Sequence, residues 1–144
     1  MQFLEVVRAT PLVSIDLVVR DADGRILVGM RRNEPAKGTW FVPGGRIRKD
    51  ETLARALARI SEWELGVALD NDNVRFAGVF EHFYETNFAG VGGISTHYVV
   101  LAYVVKRTFN TAGLPQEQHS EWAWLTHPTM ENVHPNTLAY LDIT

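Results

Sequence analysis

The amino-acid sequence predicts an α/β chain of the α+β kind, with a mixed β-sheet sandwiched between α-helices. Three observations lead there. Strand-like runs rich in β-branched residues recur along the chain, one long amphipathic helical pattern interrupts them after residue 50, and a shorter helical stretch closes the sequence. With 144 residues, 46% of them hydrophobic, the chain suits one compact domain over residues 1–144 with a single buried core.

The elements follow in order. Leu12 to Val19 is apolar and β-branched, Asp21-Ala22-Asp23-Gly24 supplies turn chemistry, and Arg25 to Arg31 is a second strand-like run, so this segment reads as a β-hairpin. A Pro- and Gly-bearing stretch from Asn33 to Thr39 leads into the short apolar Trp40-Phe41-Val42 and a sharp turn at Pro43-Gly44-Gly45. Asp50 is placed to N-cap a helix, Glu51 suits the positive end of its dipole, and Gly66 stands where a C-terminal cap is wanted, which puts the helix over 52 to 65. Val74 to Tyr84 and Ser95 to Lys106 read as long strands around a Gly-rich loop from Thr86 to Gly93. Trp122 to Leu125 is a further short strand after a polar loop containing Gln118 and His119, and Pro135 suits the first turn of a terminal helix over Asn136 to Leu141. The order is therefore β, β, loop, α, β, β, β, α.

Composition narrows the function classes. A formal net charge of −3 gives no general attraction to nucleic acid or to an anionic membrane, so a small molecule is the expected partner. The absence of cysteine excludes disulfides, thiolate nucleophiles and Cys-based zinc sites, leaving oxygen or imidazole as metal ligands. No stretch of about 20 apolar residues occurs and MQFLEVVRAT is not a secretory signal, so a soluble, cytoplasmic protein is expected.

On the long helix, Ile60, Trp63 and Glu64 share one face. Glu64 thus falls within an apolar stripe made with Leu53, Leu57 and Ile60, where a lone carboxylate is costly unless a cation or donor offsets it. Metal ligation supplies that offset. The alternative is a side chain in the last turn that simply reaches solvent.

The segment from Gly45 to Val67 resembles the Nudix box, matching it at Gly45, Glu51, Arg59, Glu64, Gly66 and Val67. The resemblance implies the Nudix fold, with Glu51 and Arg59 as an ion pair that holds the loop against the helix. It also implies several metal-binding carboxylates on the face that here carries Ile60 and Trp63 beside Glu64. A reduced box of that kind, together with the runs TPLVSIDLVV, WFVPGGR, KDETL, ELG, HFYETNF, THYVVL, EQH and NVHPN, is similar to the GDP-mannose mannosyl hydrolases.

Carried over residue by residue, this second resemblance implies Mg²⁺, with Mn²⁺ as an alternative, held by the carbonyl of Gly44, the carboxylate of Glu64 and the amide oxygen of Gln118. Oxygen donors suit such a hard cation. His119 takes the position of the general base, and imidazole, with an ordinary pKa of about 6.5, suits that task near neutral pH. Asp16 and His82 match positions that contact the sugar, while Arg31, Arg46 and Tyr98 match positions that face the diphosphate or leaving group.

The implied reaction is hydrolysis of GDP-mannose, or GDP-glucose, to GDP and free sugar by water attack at the anomeric carbon with inversion, in a homodimer. Two rivals are a Nudix pyrophosphatase that attacks phosphorus and a non-catalytic domain that binds a nucleotide sugar. Without the resemblance, Arg46 reads as a solvated arginine, Arg31 as an edge charge, His82 and His97 as satisfied strand histidines, and Tyr84 and Trp40 as packing aromatics. Asp16, inside an apolar strand, calls for a polar partner on general grounds.

Overall fold

A computed structural model describes residues 2–125 and 131–143. The elements are α1 (Gln2–Ala9), β1 (Leu12–Arg20), β2 (Ile26–Arg31), β3 (Trp40–Phe41), β4 (Gly44–Arg46), α2 (Leu53–Leu65), β5 (Arg75–Tyr84), β6 (Thr96–Lys106), β7 (His119–Leu125) and the single turn α3 (Pro135–Leu138). The sheet runs β3-β2-β1-β6-β5, with β4 also paired to β1 and β7 to β2. It is mixed, because β1 and β6 run parallel from Leu12 opposite Tyr98 to Arg20 opposite Lys106, whereas the other pairs are antiparallel.

β1 lies at the centre and is buried on both faces, as its near-continuous apolar sequence requires. Alternation along the strand sends Ile15, Leu17 and Val19 toward Ala56, Leu57, Ile60 and Leu65 of α2. Val18 faces the opposite way and joins Ala102, Val104, Phe41, Leu125 and Tyr140 beneath the C-terminal segment. The expected sandwich is present, with α2 on one face and the C-terminal residues on the other. Among the described residues no helix is long and apolar enough to cross a membrane.

Several boundaries differ from the sequence expectation. The N-cap of α2 is Thr52, whose side chain accepts from Arg55 N at 3.2 Å, and not Asp50, which adopts a positive φ of 64°. Glu51 accordingly lies outside the first helical turn and reaches Arg59, which donates from Nε at 2.7 Å and from Nη2 at 2.9 Å. Leu53 is half exposed and does not belong to the buried stripe. α1 and β4 were not expected, β7 begins earlier, at His119, and α3 stops at Leu138, three residues before the expected end. His134 caps α3 by accepting from Asn136 N.

The Glu51–Arg59 fork also receives Arg48 N–H at Glu51 and donates from Arg59 to the carbonyl of Arg46 at 2.8 Å, so it closes the loop between β4 and α2. The hydrogen bonds from Arg59 hold the Glu51 carboxyl down from 4.5 to about 2. A depressed carboxylate pKa contributes stability above the unfolded value that is lost as pH falls through the folded one. The thermal stability gap between the parent chain and Glu51→Gln is therefore expected to be constant above about pH 4.5 and to close between there and about pH 2. Melting both proteins from pH 7 to pH 2 checks it; a gap that survives at the acid end removes the ion pair from acid stability.

Candidate active site

A cleft opens where β1 and β2 part. The two strands meet only at Arg20 and Ile26, after which β1 takes β4 as its neighbour, with Ser14 opposite Arg46 and Asp16 opposite Gly44. The walls are Ser14 and Asp16 of β1, Arg31 at the end of β2, Gly44 to Arg46 of β4, and His82, Tyr84 and Tyr98 from β5 and β6. His82 and Tyr98 lie opposite each other in the β5–β6 ladder, so alternation presents both on one face of the sheet.

Gly44 runs between two buried carboxylates. A Cβ there would stand 2.5 Å from Asp16 Oδ1 and 2.5 Å from the carbonyl oxygen of Ile15, so only glycine fits. Its N–H donates to Glu64 Oε1 at 3.0 Å. On the other side Asp16 is buried, and its Oδ2 accepts from the Tyr140 hydroxyl at 2.5 Å. Burial raises the Asp16 carboxyl to about 7 against the lowering effect of that bond, with the Glu64 charge raising it further and Arg31 lowering it. A carboxyl poised near neutrality can accept from or donate to a ligand hydroxyl.

His82 is buried, with Nδ1 4.0 Å from Asp16 Oδ2 and Nε2 3.3 Å from the Tyr140 oxygen. Burial, with His134 close by, lowers its pKa to about 4, so the ring is neutral at physiological pH and offers one donor and one acceptor nitrogen. Burial pushes the Tyr98 hydroxyl up, which keeps it a donor. Arg46 places its guanidinium 4.4 Å above the Phe3 ring of α1, which in turn meets Phe88 at 5.0 Å. Arg31 reaches the carbonyls of Asn33 and Pro35 only through long contacts of 3.4 Å.

Glu64 is 3% exposed, and its Oε1 receives both Gly44 N and the approach of His119 Nε2 at 3.4 Å. His119 is 1% exposed, packed against Trp122, with Nδ1 buried and without a partner among the described residues. Its ring occupies the space over Gly29, where a Cβ would stand 2.4 Å from Nδ1. Gln118 lines a second groove with Phe3, Val7, Phe88 and Thr96, which shares Arg31, Pro35 and Tyr98 with the cleft.

The structure thus gathers Asp16, Arg31, Gly44, Arg46, His82 and Tyr98 on one cleft, puts Glu64 and His119 behind its Gly44 wall, and leaves Gln118 in the adjoining groove. Gly45 lies on the cleft and against Ile60, whereas Glu51, Arg59 and Gly66 lie along α2 and its approach. His97 is on the opposite sheet face from His82, stacked on Phe83 at 4.4 Å. Tyr84 lines the cleft as well as packing on the core. Tyr140 and Phe3 were not singled out from the sequence. Both are single aromatics whose importance arises only from tertiary contact.

No group of three or more His, Cys, Asp or Glu side chains among the described residues is arranged to hold a metal. The donors at hand are instead the Glu64 carboxylate with carbonyl-type oxygens. Glu64 accepts one backbone N–H, from Gly44, and its ionisable partner within 4 Å among the described residues is the His119 imidazole; a buried carboxylate compensated by no fixed positive charge fits a hard divalent cation.

The family model of the NUDIX domain matches residues 10–141. The chain is 45% identical over 139 residues to the low-salt glycan biosynthesis protein Agl8 of Haloferax volcanii, covering 95% of this chain and 84% of that protein. Among solved structures, a MutT NUDIX hydrolase from Burkholderia pseudomallei is 27% identical with a TM-score of 0.69, over 94% of this chain and 98% of that one. A MutT/nudix family protein from Enterococcus faecalis is similar in fold, at 21% identity and a TM-score of 0.61; the match covers 80% of this chain and 43% of that longer one.

Proposed function

The chain belongs to the NUDIX domain family, a class of hydrolases that typically use Mg²⁺ or Mn²⁺, and from that premise we propose that it hydrolyses a GDP-hexose, GDP-mannose first, to GDP and free sugar. The observation that carries this reading is the meeting of two chemistries in one cleft. Asp16 and neutral His82 offer buried partners for hydroxyl groups, and beside them Arg31, Arg46 and Tyr98 supply donors for a diphosphate. α2 meanwhile turns one carboxylate, Glu64, toward the site, with Ile60 in the core and Trp63 54% exposed. A helix so poor in acids is badly suited to assembling a metal cluster around phosphorus. The Agl8 relative, named for glycan biosynthesis, supports a nucleotide-sugar substrate.

In this reading Asp16 and His82 orient the sugar ring and present its anomeric carbon to water. His119 takes the water's proton at a ring nitrogen, which requires the imidazole to turn from Glu64 toward the cleft. Arg46 and Arg31 grip the leaving diphosphate, an arrangement for which guanidinium geometry is well suited. Tyr98 donates to an oxygen that gains charge as the bond breaks. Glu64, the Gly44 carbonyl and the Gln118 amide would hold a divalent cation, which would supply charge neutralisation for the same leaving group. Direct displacement inverts the anomeric centre. The reading includes the homodimer and the cytoplasmic setting implied by the resemblance.

Turnover of GDP-mannose in ¹⁸O-labelled water tests the bond that breaks. The label is expected on C1 of mannose, with unlabelled GDP, and rapid proton NMR should show β-mannose before mutarotation. Label in a phosphate, with GMP and mannose 1-phosphate as products, overturns carbon attack and assigns a pyrophosphatase.

A further inference from the structure

We infer that the C-terminal segment is a working part of the site: pinned to β1 by Arg20, it positions Asp16 and His82 through the Tyr140 hydroxyl. This rests on the reading of Asp16 and His82 as the sugar-facing residues of the cleft. Asp16 and Arg20 are four residues apart on one strand, so alternation points both to the same face, about 13 Å from each other. Each holds the same stretch of chain. Arg20 Nη2 donates to the carbonyls of Tyr140 at 3.2 Å, Leu141 at 3.0 Å and Ile143, while Nη1 donates to Gly24 at 2.6 Å. Asp16 accepts from the side chain of Tyr140 at 2.5 Å.

Tyr140 is fully buried, and its ring meets Phe80 edge-on at 4.9 Å. A fixed ring leaves its hydroxyl one place to be. With its proton directed at Asp16, the oxygen is left to accept from His82 Nε2 at 3.3 Å, which favours the neutral imidazole with its proton on Nε2, while Nδ1 stands 4.0 Å from Asp16 Oδ2, beyond hydrogen-bond reach. One hydroxyl therefore sets both the carboxylate's orientation and the tautomer of the histidine. Arg20 lines no part of the cleft; its influence on the site passes through the segment it grips.

Tyr140→Phe removes the hydroxyl and keeps the ring, so it separates positioning from packing. Binding of GDP-mannose and of GDP is measured by calorimetry in metal-free buffer, so that the sugar nucleotide is not turned over, for the parent, Tyr140→Phe, Asp16→Asn, Arg20→Met and the Tyr140→Phe/Asp16→Asn pair. Tyr140→Phe is expected to weaken GDP-mannose about 10-fold, within the worth of one hydrogen bond to a charged group, and to leave GDP unchanged. The double variant is expected to add little to Asp16→Asn. Nitrogen NMR of His82 should show loss of the single Nε2–H tautomer in Tyr140→Phe. Arg20→Met is expected to lose part of the same discrimination; Arg20→Lys replaces it if the chain fails to fold.

If Asp16→Asn weakens the sugar nucleotide but Tyr140→Phe does not, the inference falls and the reading of the cleft stands. Should neither variant discriminate between the two ligands, the cleft reading falls and takes the inference with it. Equal weakening of GDP and GDP-mannose by Tyr140→Phe reduces Tyr140 to a packing residue. Full discrimination retained by Arg20→Met overturns the pinning.

Discussion

Replacing Glu64 by Gln is expected to lower divalent-metal-dependent turnover about 10³-fold while the chain stays folded, since a Lewis acid is worth several kcal/mol of transition-state charge stabilisation. The folded state should survive because the amide oxygen can still accept from Gly44 N and the volume is unchanged. What the substitution removes is the negative charge. Calorimetric titration with Mn²⁺ is the direct measurement, with affinity expected to fall alongside turnover. Unchanged Mn²⁺ affinity in the folded variant would move the ligand role to Asp16, the other buried carboxylate flanking Gly44.

The size of the effect expected at Glu64 follows from what surrounds it. Ile60 packs into the core and against Gly45, and Trp63 turns outward, so the helix face that passes the cleft offers one acid where a richer face would share the load. On the proposed reading Glu64 is the one charged ligand, and its loss is tolerated less well than the loss of one ligand among several. The same geometry explains why Gly44 must be glycine, since its backbone is threaded between Glu64 and Asp16 with no room for a side chain.

Much of this arrangement was legible in the chain itself, and what was not has identifiable causes. The long apolar and β-branched runs of β1, β5 and β6 announce their strands, and the spacing of Gly45, Glu51, Arg59, Glu64 and Gly66 announces α2 with its C-terminal cap. β4 was hidden because Gly44 and Gly45 have no strand propensity; the backbone of β1 recruits them through pairing, and only glycine can come so close. Asp50 and Thr52 are both good caps, and the fork from Arg59 to Glu51 decides between them by drawing the intervening chain into the left-handed turn at Asp50. α1 escaped notice because eight residues with adjacent valines carry little helical signal of their own. Asp16 called for a polar partner from its apolar neighbours alone, but nothing in sequence order identifies Tyr140, 124 residues away, as that partner.

His119→Ala is expected to lower kcat by about 10²- to 10⁴-fold, the range for a positioned general base. Its burial makes the experiment discriminating. The ring now lies between Gly29 and Glu64 with one nitrogen toward the carboxylate and the other without a partner among the described residues, a placement that suits two distinct roles. As a base, His119 must swing into the cleft during turnover; its loss then depresses kcat even at saturating Mn²⁺, with metal affinity changed by less than about 10-fold. As a holder of Glu64, its loss weakens metal binding by about 10- to 100-fold, the usual cost of removing a residue that orients a ligand, and saturating metal restores kcat. Gly29→Ala provides a second probe that leaves the imidazole in the chain. A Cβ at residue 29 would stand 2.4 Å from His119 Nδ1 and 2.8 Å from its Cβ, so both the ring and the start of β7 must move from their present seat beside Glu64. For a base, displacement toward the cleft is expected to preserve more activity than deletion, so Gly29→Ala should remain well above His119→Ala in kcat. Equal loss in the two variants, reversed by excess Mn²⁺, would remove His119 from proton transfer and leave it the task of holding Glu64.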